Sequence, residues 1–143
     1  MPMYLKRDTI RLLEASVDSI SMAVTALGLP RRYDVREGAS ENAVAIGLAG
    51  VSAELAMSAV IVQAKSEQAL CMPSGFYKTG SHIVDDFRAL ITSPIPKMVF
   101  LTQGIKAPAA HISKILDLSS KFKLLVKSRA GGLHAGKGPS RDV

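Results

Sequence analysis

Residues that commonly staple or anchor a small fold are scarce in this chain. Among 143 residues there is one cysteine, Cys71, which excludes an intramolecular disulfide framework and a cysteine-built zinc site. Tryptophan is absent, and Phe and Tyr together number seven, against eighteen alanines. That balance favours helices over an aromatic-rich sheet sandwich. The three histidines, His82, His111 and His134, are scattered, without the clustered carboxylates that a metal site would add, so neither metal nor other cofactor is expected. No short apolar core follows Lys6-Arg7-Asp8, so the N-terminus does not read as a secretory signal, and the chain is expected in the cytoplasm.

What the chain does have is positive charge, gathered in one place. Eighteen Lys and Arg face twelve Asp and Glu, a net charge of +6. Residues 1–96 hold nine basic and ten acidic side chains, whereas residues 97–143 hold nine basic and two acidic. The whole excess therefore belongs to the last third. A solvated basic tail is one reading of it; a surface for a polyanion such as RNA is the other.

Hydrophobic periodicity predicts an all-α fold: a compact antiparallel bundle of four to five helices, with residues 1–143 as a single helical domain. From about Lys6 to Gly28, the residues Ile10, Leu13, Val17, Ile20, Val24 and Leu27 recur at alternating spacings of three and four. This is the a/d pattern of a helix packed against another helix, and it also offers more apolar surface than so small a bundle needs, which points to a homodimer. Gly28 and Pro30 end the helix, Pro30 to Ala39 reads as a polar loop, and Ser40 caps a second helix to about Leu70. Between Ala43 and Val62 that second helix is apolar or small apart from Ser52, Glu54 and Ser58. Twenty such residues approach the length of a membrane span. A charge at a bilayer centre costs roughly 2.5–3.5 kcal/mol on insertion scales, so with Glu54 mid-span a buried central helix is preferred over a membrane-associated one. Pro73, Gly75 and Gly80 mark a loop, and Ser81 caps a third helix to about Thr92 with Val84, Phe87 and Ile91 inward. Ser93-Pro94-Ile95-Pro96 breaks it, and a helical turn or two is expected over Lys97–Gln103. A last helix, opened by Pro108, should run from about Ala109 to Ser128. Its stripe is Ile112, Ile115, Leu116, Phe122, Leu125 and Val126, with Lys114, Lys121 and Lys123 off it in water.

The chemistry concentrates in the last fifteen residues. Arg129 lies seven residues past Phe122 and three past Val126, so it continues the apolar stripe. An inward arginine must meet an anion, because an unpaired buried charge is expensive; Glu54 is the obvious partner if its role is structural. His134 follows just past Gly131-Gly132, a pair that lets a chain turn back. Lys127, Lys137 and Arg141 add positive charge around them. Arginine binds phosphate through a planar fork and keeps its charge, and histidine moves protons near neutral pH, so the set suits phosphodiester chemistry. Gly131-x4-Gly136-Lys137 matches most of a P-loop, but Gly138 stands where a Ser or Thr must hold magnesium.

Arg129, four residues, then His134, at the end of the last helix of an all-α domain, resembles the signature of the HEPN superfamily. Its members are small helical bundles, many of them metal-independent ribonucleases of toxin–antitoxin, abortive-infection and CRISPR-linked defence systems. The helix containing Ala53-Glu54-Leu55-Ala56 is similar to the second helix of such domains, which often carries an acidic residue. The resemblance implies a cleft made by two protomers that acts on RNA without a cofactor. In it Arg129 binds the scissile phosphate and His134 transfers a proton as the 2′-hydroxyl attacks, leaving a 2′,3′-cyclic phosphate. It also implies an antitoxin or a further effector or sensor domain as partner, and no membrane. The family usually has a polar residue, often Asn, Asp or His, directly after the arginine; here it is Ala130, and Ser128 or Glu54 would supply that contact instead. Such domains normally continue into another helix, so the chain also reads as the N-terminal part of a longer protein. The alternative to catalysis is an inactive helical module that dimerises, or binds RNA or a partner through the basic third.

Overall fold

The computed structural model describes residues 5–28, 39–92 and 109–135, and over 39–42, 109–111 and 129–135 it describes the backbone alone. Four helices carry these residues: α1 (Arg7–Gly28), α2 (Ala39–Ala64), α3 (Gly80–Ile91) and α4 (Ala109–Ala135). The described residues form an all-α bundle, and their one β-type pairing is an isolated bridge between Cys71 and Tyr77.

The bundle is organised around α2, which packs against α1, α3 and α4. Met57, Ile61 and Val62 of α2 are almost wholly buried, together with Val84, Phe87, Leu90 and Ile91 of α3 and Val126 of α4. Ile112, Ile115, Leu116 and Phe122 of α4 lie half-buried against this cluster, as the stripe on the last helix predicts. The segment Ala43–Ala64 is long and apolar enough to cross a membrane, and half of it is buried inside the bundle. Among the described residues no other helix passes that test. Between α3 and α4 the contact is polar at its rim: Arg88 donates to Ser120 Oγ at 2.7 Å, and Lys123 pairs with Asp85 at 3.4 Å.

α1 and α2 run antiparallel and close together. Lys6 Nζ donates to the carbonyls of Val62 and Lys65, and Thr9 Oγ1 donates to Gln63 Oε1 at 2.9 Å. A cation on the last carbonyls of α2 also suits its helix dipole. Further along, Ser16 Oγ donates to the Ser52 carbonyl and Ser52 Oγ to the Ser16 carbonyl, both at 2.8 Å. Two hydroxyls that each reach the other helix's backbone require small side chains where the helices meet at Ser16 and Ser52. The face that α1 turns inward consists of Thr9, Ser16, Ala23 and Ala26, with Leu12 and Ser19 half-buried. The larger row, Ile10 through Leu27, read from the sequence as the seam of a helix packed against another helix and as surplus apolar surface, faces outward.

Three boundaries also differ from the sequence reading. α2 stops at Ala64, and Glu67–Leu70 forms a separate 3-10 turn. α3 begins at Gly80 with Thr79 rather than Ser81 at its N-cap, and Thr79 Oγ1 contacts His82 Nδ1 at 2.7 Å. α4 does not end at Ser128 but continues through Gly131-Gly132 to Ala135. Glycine costs about 1 kcal/mol in a helix interior, an amount that tertiary context commonly overrides. The polar loop after Pro30, the expected turn over Lys97–Gln103 and the opening Pro108 lie outside the described residues, as do Lys137 and Arg141.

Candidate functional site

Glu54, one of the residues expected at the site, lies where α2, α3 and α4 converge. It stands halfway along α2 and is half-buried. α3 begins directly against it. A methyl group at Gly80 would collide with Glu54 Oε1, and would stand 2.8 Å from Glu54 Cδ and 2.5 Å from Val126 Cγ1. Three elements thus meet around one glycine, with a carboxylate held against the first turn of α3, where free N–H groups and the helix dipole favour negative charge.

Glu54 also lines a cleft of about 390 Å³. Its walls are Asp8, Arg11 and Leu12 of α1, Leu55 and Ser58 of α2, Glu67 and Leu70 of the 3-10 turn, and Tyr77, Lys78 and Ile83. Between Leu70 and Lys78 a tight loop forms that side of the cleft. Lys78 N donates to the Leu70 carbonyl at 2.8 Å and Met72 N to the Phe76 carbonyl at 2.7 Å, with Gly75 at φ +90° closing the turn. The loop holds Phe76 and Tyr77 outward and exposed. Lys78 is tied back to Asp86 by a 2.6 Å ion pair. The polar groups of the cleft are of both signs.

Arg129 and His134 both lie on α4, which is helical through each of them. The chain does not turn back at the glycine pair, so His134 is not folded beside Arg129 by a loop. At 100° and 1.5 Å per residue, position 129 lies about 60° to one side of Val126 and one turn beyond it, and position 134 about 80° to the other side and some 12 Å along. The two positions straddle the row of α4 that meets Glu54 and Gly80. Lys127 and Ser128 are exposed, with Ser128 on the side of α4 away from Val126. Of the two polar supports named for Ala130, Glu54 is therefore the one next to the row that leads to Arg129. The same helical backbone removes the P-loop reading, since residues 131–135 form no phosphate-cradling loop. Among the described residues, no three His, Cys, Asp or Glu side chains come together.

Sequence reasoning missed Gly80, which reads as a loop residue but stands where a Cβ would run into Glu54 of α2 and Val126 of α4. It also missed Arg11, Tyr77 and Lys78 as walls of the cleft. Tyr77, Lys78 and Gly80 are near neighbours in the chain, but nothing in the spacing brings Arg11 of α1 to them. No family model, curated protein or solved structure matches the chain.

Proposed function

We propose that the protein is a metal-independent endoribonuclease of HEPN type, acting in the cytoplasm in defence or toxin–antitoxin biology. The observation that carries this reading is the placement of Arg-x4-His on the C-terminal turns of the last bundle helix. Arg129 there lies one turn beyond the junction of Val126 with Gly80 and Glu54. An acidic residue on the second helix and the arginine–histidine pair on the last are the two features that such domains combine.

In the proposed reaction the RNA 2′-oxygen attacks the adjacent phosphorus, the bond from phosphorus to the 5′-oxygen breaks, and the departing 5′-oxygen takes a proton. His134 shuttles the proton, taking it from the attacking 2′-hydroxyl and delivering it to the departing 5′-oxygen, so that the step is balanced. Arg129 holds the phosphate and offsets the charge that gathers on its oxygens as the phosphorane forms. Glu54 sets the direction of the arginine from the bundle side. Because positions 129 and 134 diverge around α4 by about 140°, a site assembled from the pairs of two copies is the arrangement proposed. Lys127, Lys137 and Arg141 extend the basic surface along which RNA lies.

The test is a cleavage assay on structured RNA in EDTA. Cutting that leaves 2′,3′-cyclic phosphate ends, and that disappears in Arg129→Ala, supports the reading. Cutting that requires a divalent ion overturns it. Ala130, in place of the polar residue usual after the arginine, favours a second reading: a non-catalytic module that binds RNA or a partner through the same basic surface. Binding without turnover in that assay selects it.

A further inference from the structure

α2 buries a hydroxyl that the bundle does not use. Ser58 is only 7% exposed, and among the described residues its Oγ meets no hydrogen-bond partner. The other buried hydroxyls are all engaged: Ser16 and Ser52 with each other's backbone, Thr9 with Gln63, and Ser119 with the Leu116 carbonyl. A buried hydroxyl without a partner forgoes the hydrogen bonds it makes in water, and native interiors keep few such groups. Ser58 opens on the cleft beside Glu54, one helical turn along the same face of α2.

The rest of the lining says what the cleft takes. Three carboxylates, Asp8, Glu54 and Glu67, stand against two cations, Arg11 and Lys78. Both cations are already matched, Arg11 by Asp8 at 3.9 Å and Lys78 by Asp86 at 2.6 Å. The surplus charge of the cleft is therefore negative. A phosphate or carboxylate would have to displace those partners and then sit against Glu54 and Glu67, whereas a cation is attracted. Between the charges the surface is apolar, with Leu12 and Leu55 beside the buried Leu70 and Ile83. The exposed Tyr77 completes the wall with a ring whose face also attracts cations. At about 390 Å³ the cleft has the size of a small-molecule site.

We propose that this cleft binds a small aliphatic amine in its ammonium form. The alkyl body lies on Leu12, Leu55, Leu70 and Ile83, and the ammonium donates to the Glu54 carboxylate and to Ser58 Oγ. An ammonium carries three donors and no acceptor, so it suits a site whose unsatisfied atoms are oxygens. It also keeps its charge at neutral pH, as lysine does. The ligand is opposite in sign to the RNA proposed for the basic third. Glu54 is shared with that RNA site, but amine binding is measured without RNA, so either reading can fail alone.

The experiment titrates the full chain with n-butylamine at neutral pH and follows the backbone amide signals by NMR, with butyrate as the anionic counterpart. Butylamine should shift the amides of Leu55, Ser58, Tyr77 and Ile83 together in one saturable step at millimolar concentration, and butyrate should not. Ser58→Ala should weaken the amine about tenfold, the effect of one hydrogen bond to a charged group. The same variant should unfold at no lower a temperature than the wild type, because the hydroxyl it removes has no partner among the described residues. Glu54→Gln keeps the shape of the side chain and should weaken the amine at least as much. The absence of a saturable shift, or butyrate bound as tightly as butylamine, overturns the proposal. So does an unchanged affinity in either variant, or a Ser58→Ala protein that loses stability along with affinity, since that serine would then be structural.

Discussion

At position 80 only a hydrogen fits between α3 and its neighbours. A Cβ there would enter the Glu54 carboxylate and press on Val126, a residue of the core. Gly80→Ala should therefore destabilise the protein by about 1–3 kcal/mol, the usual cost of overpacking, visible as a lower urea midpoint with unchanged slope. Ser16 is under a similar constraint. It is buried, its hydroxyl reaches the Ser52 backbone, and the Ser52 hydroxyl reaches back. Ser16→Ala should cost about 1 kcal/mol, the net worth of a hydrogen bond. Ser16→Leu should cost more, since it also forces the two helices apart; thermal unfolding of the pair of variants distinguishes the two terms. Neither position can be singled out from the sequence, where Gly80 sits among loop residues and Ser16 among five serines and threonines of one helix.

The helices themselves were largely legible. The stripes of α3 and α4 face the core as their periodicity predicts, because bulky apolar residues there alternate with charged ones and leave one choice of face. α1 shows where that logic stops. It carries two interleaved rows with the same three-and-four spacing, one residue apart: Thr9, Leu12, Ser16, Ser19, Ala23, Ala26 and Ile10, Leu13, Val17, Ile20, Val24, Leu27. Hydrophobicity selects the second as the buried one. The bundle buries the first, because α2 also presents small residues and the two helices gain more from close backbone approach and reciprocal serine bonds than from larger side chains held further apart. α4 presents the other case. Gly131-Gly132 reads as a turn, yet the helix runs through it. Replacing both with alanine should then stabilise the protein by about 0.5–1 kcal/mol per site, measured by urea denaturation. It should also leave RNA cleavage in place, whereas a working geometry that needs a turn at these residues would lose it.

Across the whole molecule, charge is unevenly placed. The first 96 residues, with a balance of −1, supply α1, α2 and α3, while the last 47 carry +7 and also give the core one face of α4. Of the site expected from the sequence, Glu54 is on the central helix as expected, whereas Arg129 and His134 both lie on α4, which the sequence reading ends at Ser128 with a turn before His134. The cleft beside Glu54 was not legible, because α1, α2, the 3-10 turn and the loop after it each contribute walls from distant parts of the chain. If the basic third holds RNA through its phosphates, affinity should fall steeply with salt, as counterions released by each neutralised phosphate compete on return. Filter binding to a short RNA from low to physiological salt should give a linear log–log slope, and Lys127→Ala should reduce that slope by about one. A salt-independent affinity would place the contact elsewhere.

The most direct measurement of the central claim is single-turnover cleavage of a structured RNA by the wild type and by His134→Ala, both in EDTA, with the new ends analysed chemically. The account predicts 2′,3′-cyclic phosphate ends from the wild type and a rate lower by about 100-fold or more in the variant, the range a proton-transferring residue contributes, with the same unfolding midpoint for both. Equal cleavage by the two proteins would contradict it.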